Sequence, residues 1–124
     1  MFKKSDVGTH TEIVKGVHLK AMVYGKKTLM TEVKMEKGAV IPPHKHPHEQ
    51  TGYLVSGHMD FLVSGEHQIA KPGDSWNIAG GAEHGAAAIE ESVVVEVFSP
   101  VSLIFRFCPI PDEIFTYSNV GCIS

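Results

Sequence analysis

Cysteine is scarce in this chain: only Cys108 and Cys122 occur among 124 residues, and their spacing matches no zinc pattern. Two such thiols make no disulfide framework, so a reducing cytoplasm is the expected setting. Basic runs are missing as well, and the net charge is −3. That balance argues against nucleic acid as a partner. No apolar run approaches the ~18 residues of a membrane-spanning helix, so no membrane partner is expected. Met1 to Asp6 lead into polar sequence, unlike a signal peptide. A helical period of 3.6 is absent before the last stretch of the chain, and no internal repeat or low-complexity segment interrupts it.

What remains is a series of short β-forming segments punctuated by Gly, Pro and Asp. Leu29, Thr31, Val33 and Met35 alternate with Met30, Glu32 and Lys34. Tyr53 to Val55 ends at Ser56-Gly57, and Met59 to Val63 ends at the hairpin signal Ser64-Gly65-Glu66. Gln68 to Ala70 precedes the turn Lys71-Pro72-Gly73-Asp74, and Ser75 to Ile78 precedes Gly80-Gly81. His84 to Ile89 and Val93 to Phe98 complete the set, with Glu90-Glu91-Ser92 read as a turn. Many short strands at this spacing predict an all-β sandwich or small antiparallel barrel. The length fits one domain, placed at residues 1–100, with a tail at 101–124. In the tail Val101, Leu103, Phe105 and Phe107 share one face, which suits an added strand or a subunit contact. Val93, Val95 and Val97 would form an apolar outer face, and a homodimer is the expected assembly.

Three of the eight histidines, His44, His46 and His48, fall within five residues. Imidazole is the commonest protein metal ligand. On an extended chain His44, His46 and Gln50 share a side. A straight strand would carry Gln50 roughly 20 Å from His44 at ~3.3 Å per residue. Metal bonds are only ~2 Å long. If all three meet one ion, the chain must fold back between His46 and Gln50, and Pro47 is placed to bend it. The resulting picture is two ligands on one strand, a short turn, and a third ligand starting the next strand. His48 falls within the turn and is expected at the barrel mouth or in solvent. Downstream, His84 follows Gly80-Gly81 and opens a strand, so it can point into a barrel and supply a further neutral donor.

Glu96 is the one charge in Val93-Val94-Val95-Glu96-Val97-Phe98. Burying an unpaired charge costs several kcal/mol. Two readings stand: an edge-strand charge that blocks sheet-to-sheet pairing, or a carboxyl inside the barrel acting as general acid or base. Phe98 shares its parity and would wall the pocket beside it.

These residues give the chain a resemblance to the cupin superfamily. The first family motif is matched by Gly38, His44, His46, Gln50 and Gly57, with Gln50 in the place of the usual Glu; Glu49, the one acid nearby, is one residue out of register. The second is matched by Gly73, Gly81 and His84, with Ala79 where Pro is usual and Ala88 where Asn is usual. The resemblance implies a small β-barrel holding one metal through His44, His46, Gln50 and His84. Four neutral donors would leave the full +2 on a divalent ion and strengthen it as a Lewis acid. Such a set suits Zn, Ni, Mn, Fe or Co better than Ca or Mg. The stretch Glu96-Val97-Phe98-Ser99-Pro100 is similar to the small cupins of pectin and alginate breakdown, which convert 4,5-unsaturated monouronates into linear keto forms. That likeness implies Glu96 as catalytic residue, Phe98 as substrate contact and a small sugar acid as substrate. In that group an Arg follows the Pro by two residues; here Ser102 stands there, and Arg106 lies four residues further on. Two other functions remain open on this fold: non-catalytic binding or sensing of a small sugar, and iron-dependent dioxygenation.

Overall fold

The computed structural model describes residues 1–100. Eight strands follow one another: β1 Thr11–Val14, β2 Val17–Tyr24, β3 Leu29–Met35, β4 Val40–His44, β5 Glu49–Val63, β6 Glu66–Ala70, β7 Ser75–Ile78 and β8 His84–Ser99. Every pairing is antiparallel. The sheet runs β1-β2-β3-β8-β5-β6, with β4 added to β8 and β7 added to β5. The chain is thus all-β, with no helix among the described residues and hence none able to cross a membrane. The tail, both cysteines, Ser102 and Arg106 lie outside the described residues.

Two long strands fold this sheet into two layers. The first part of β5 pairs with β7 and with the end of β8; the second part pairs with β6 and with the start of β8. β8 likewise meets β3 along its end and β4 along its start. Both strands pass from one layer to the other through bulges between Leu54 and Met59, opposite Glu90 to Val93. Here the sequence expectation is corrected. Ser56-Gly57 and Glu90-Glu91-Ser92 are not turns between short strands but the corner at which two continuous strands bend together. Bulges sharpen twist and bend in this way. Gly57, at φ 102°, is required there: a Cβ would strike Ser92 Oγ and crowd the Glu91 carbonyl. Ser92 Oγ accepts from the His58 N–H at 3.0 Å and donates to the Glu90 carbonyl at 2.8 Å. The hairpin signal at Ser64-Gly65 is a genuine turn, with both residues at positive φ as a two-residue type I′ connection demands.

Inward-facing residues follow the period of two. Leu29, Thr31, Val33 and Met35 of β3 are buried, as are Gln50, Gly52 and Leu54 of β5, while Glu49, Thr51 and Tyr53 between them are exposed. Leu54, Met59, Phe61, Val94 and Phe98 join them in one core. A fully buried side chain such as Leu54 contributes roughly 1.5–3 kcal/mol relative to exposure. Val93, Val95 and Val97 face outward and are half-buried. These core side chains leave part of the interior unfilled. The remaining space is a pocket with apolar walls and a cluster of histidines, Gln50 and Glu96 among its lining.

Candidate metal centre and its carboxylate

His44 ends β4 and is directly paired with His84, the first residue of β8. Their rings lie 4.4 Å apart between centroids. His46 sits beyond β4, in the loop to β5, rather than on the strand as the sequence picture had it. Its ring is 4.7 Å from that of His84 and 5.5 Å from that of His44. The three present ring nitrogens within 4.8 Å of one another. Gln50, on β5 after the turn, closes the group with Oε1 2.9 Å from His46 Nε2.

The backbone sets each ring. His44 Nδ1 lies 2.9 Å from the Pro42 carbonyl, His46 Nδ1 3.0 Å from the His48 carbonyl, and His84 Nδ1 2.8 Å from the Ala82 carbonyl. A carbonyl only accepts, so each Nδ1 carries the proton and each Nε2 is a bare lone pair. His84 Nε2 is enclosed with no partner. His46 Nε2 faces Gln50 Oε1, two acceptors at 2.9 Å. A cation between them would turn that repulsion into attraction. The donor set therefore fits a divalent metal.

Glycines hold the two ligand-bearing loops together. A Cβ on Gly80 would overlap the Pro47 carbonyl, and the Gly81 N–H donates to the His46 carbonyl at 2.8 Å. The loop before His84 is thereby fixed against the loop carrying His46. Burial lowers the pKa of all four clustered histidines. It pushes His44 down to about 4, opposed by the Pro42 hydrogen bond and aided by His84 and His46. His46 and His84 are lowered for the same first reason. At neutral pH the imidazoles are uncharged, the form that coordinates a metal.

Glu96 lies on an interior strand, between Thr31 of β3 and Gly52 of β5, so the edge-strand reading is overturned. Its Oε2 accepts from Gln50 Nε2 and, at 3.3 Å, from Trp76 Nε1. The Gln50 contact orients the amide so that its oxygen points to His46. Desolvation raises the Glu96 pKa, and the Trp76 and Gln50 hydrogen bonds pull it partly back. The residue keeps some exposure as a whole, but its carboxyl is enclosed. Phe98 lines the same pocket, its ring 6.2 Å from that of His46.

Two residues escaped the sequence reading. Trp76 sits directly across from Gly52, which is in turn across from Glu96. A Cβ on Gly52 would collide with the indole, so the glycine leaves the gap through which Trp76 reaches the carboxyl. His48 is not in solvent: it is 4% exposed and lines the pocket. Its ring stacks on His46 at 3.6 Å and 4°, and meets Phe98 at 5.2 Å and 75°. Burial, with His46, His84 and His44 adding to it, pushes its pKa down to about 3. A second triad, Glu12, His18 and Glu36, also gathers ligand-type atoms within 4.8 Å, with both glutamates exposed.

Comparison with known proteins agrees with this architecture. The pectin degradation protein KdgF of Dickeya dadantii is 34% identical over 91 residues, which span 72% of this chain and 83% of that protein. The structure of KdgF from Halomonas sp. superposes with a TM-score of 0.77 at 31% identity, covering 81% of this chain and 93% of that one. An RmlC-like cupin from Shewanella frigidimarina has a TM-score of 0.76 at 24% identity, covering 80% and 89%, and shares the fold. The cupin domain profile matches residues 31–100, which include every residue of the imidazole cluster together with Gln50 and Glu96, and the chain belongs to the cupin family.

Proposed function

We propose that the protein is a metal-dependent enzyme that accelerates the enol–keto conversion of a small unsaturated sugar acid, with Glu96 moving the proton. One observation carries this reading: the Glu96 carboxyl is hydrogen-bonded to Gln50, whose other amide atom faces the imidazole cluster. Likeness to a pectin degradation protein supports the substrate class. His44, His46, Gln50 and His84 would hold the ion, which supplies Lewis-acid polarisation of substrate oxygens.

The chain's own residues do the rest. Phe98 and the apolar walls pack the sugar ring and exclude water. Oε2 of Glu96 is occupied by Gln50 and Trp76, so a proton on Glu96 sits on Oε1. Burial favours that protonated form, and a cation held by the neighbouring donors would oppose it. Glu96 gives this proton to the carbon of the enol C=C as the C–O bond becomes C=O. The proton lost from the enol oxygen then restores the acid, so protons balance over the cycle.

Incubating the metal-loaded protein with a 4,5-unsaturated monouronate and following the keto product by NMR tests the reading. Conversion faster than the spontaneous reaction is expected. Glu96→Gln lowers the rate by ~10²–10⁴-fold, the usual worth of a general acid–base, while metal stays bound. No acceleration by the metal-loaded protein would sink the proposal, and binding without turnover would favour a sugar-binding cupin instead.

A further inference from the structure

We propose that His48 is a substrate-recognition residue, whose Nε2–H donates a hydrogen bond to a carboxylate oxygen of the acidic sugar. This rests on the sugar-acid reading above. The neighbouring histidines invite a simpler role as a fourth imidazole ligand, and the ring geometry excludes it. The lone pair of an imidazole nitrogen lies in the ring plane. His48 and His46 are parallel within 4°, with centroids 3.6 Å apart. Two parallel planes have no point in common, so His48 cannot aim at an ion that His46 faces.

What remains is a rigid ring with an unused polar edge. His46 covers one face and the Phe98 ring stands at 75° beside it. Nδ1 is enclosed and has no partner. Buried acceptors are left unpaired more readily than buried N–H groups, so the proton belongs on Nε2. Nε2 has no protein partner among the described residues, which makes it the nitrogen open to a ligand. No Lys or Arg lines the pocket among the described residues. Among the described residues an anionic substituent there meets no cationic side chain, which leaves this N–H as a donor beside any bound ion. Hydrogen bonds to a carboxylate are among the stronger ones, and a donor already held on both sides loses little freedom on binding.

The test titrates the protein, loaded with the metal it carries when purified, with galacturonate and with galacturonate methyl ester. The ester keeps the ring and removes the charge. The wild type prefers the acid, and His48→Phe, which keeps the ring stack, shrinks that preference about tenfold. His48→Gln, which returns an N–H donor, recovers part of it. Metal content stays at the wild-type ratio in both variants. An unchanged preference in His48→Phe overturns the proposal. So does a wild type that binds neither probe, or loss of metal from both variants, which would make His48 a support for His46. An intact, His48-dependent preference without turnover of the unsaturated uronate removes the isomerase reading alone. Turnover with an unchanged preference removes His48 alone.

Discussion

Two triads in this molecule gather ligand-type atoms within the same 4.8 Å, yet they differ in what those atoms are already doing. In the outer one, His18 Nε2 is 3.0 Å from Glu36 and 3.6 Å from Glu12, and Glu12 also accepts the Gly16 N–H. These are exposed pairs, screened by water and worth ~0–1 kcal/mol. In the inner one, each Nδ1 is committed to a backbone carbonyl and each Nε2 is left bare. A metal candidate is therefore better recognised by donor atoms lacking an internal partner than by a count of suitable residues. Rings locked by hydrogen bonds from the far nitrogen are the arrangement that metal sites require.

The comparison breaks first at His84. His84→Ala lowers metal affinity by at least ~100-fold, above the ~10–100-fold loss typical of an outer-shell partner. Elemental analysis after dialysis reads this directly, and an unchanged metal ratio would take His84 out of the site. Gly80→Ala comes next, because its Cβ meets the Pro47 carbonyl, a backbone atom that cannot swing aside. Displacing the His46 loop should weaken metal binding by ~10–100-fold, the range seen when support for a ligand is lost; wild-type affinity would show the loop to be compliant. A smaller effect is the pH dependence of the metal-free protein. The folded pKa values of His44 and His48 are lowered from 6.5 to about 4 and about 3. The unfolded chain then binds protons more readily, so the stability from neutral imidazoles is present above 6.5 and is lost as pH falls toward 4. Tm should drop over that window, and less so with metal bound. A flat Tm from pH 7 to pH 5, approximately, would mean that the cluster is open to water in the metal-free protein. Least of all, Glu36→Gln in the outer triad shifts stability by no more than ~0.5 kcal/mol and leaves metal content unchanged. A fall in bound metal would show that the outer triad also holds an ion.

Much of the fold was legible because a half-buried strand advertises itself by period two. The alternation Leu29, Thr31, Val33, Met35 appears unchanged as the buried face of β3. The corner at Gly57 and Ser92 was misread because a bulge uses the same small and polar residues as a turn. Only the partner strand reveals that pairing continues through it. Among the candidate site residues, His44, His46 and Gln50 drew attention through their spacing, His84 through the Gly-Gly turn before it, and Glu96 through its isolation in an apolar strand. Trp76 was invisible because its role depends on register across three strands: Trp76, Gly52 and Glu96 stand in one row. The solvent alternative for His48 fails for a related reason. Its position in a turn says nothing of how the loop rotates, and only rotation brings its ring onto His46.

The bend shared by β5 and β8 carries a consequence for assembly. β8 opens with His84 and reaches Glu96 twelve positions later, and both line one pocket because the strand folds over at Ser92. The cluster joins β4, β5 and β8 with the loops between them, so the full donor set exists only in the folded barrel. An ion held by the full donor set would favour the completed barrel over the unfolded chain, by up to RT ln(1 + [M]/Kd), about 2.7 kcal/mol at a hundredfold excess over Kd. The metal-loaded protein would then melt above the metal-free one, by a margin that grows with the free metal concentration.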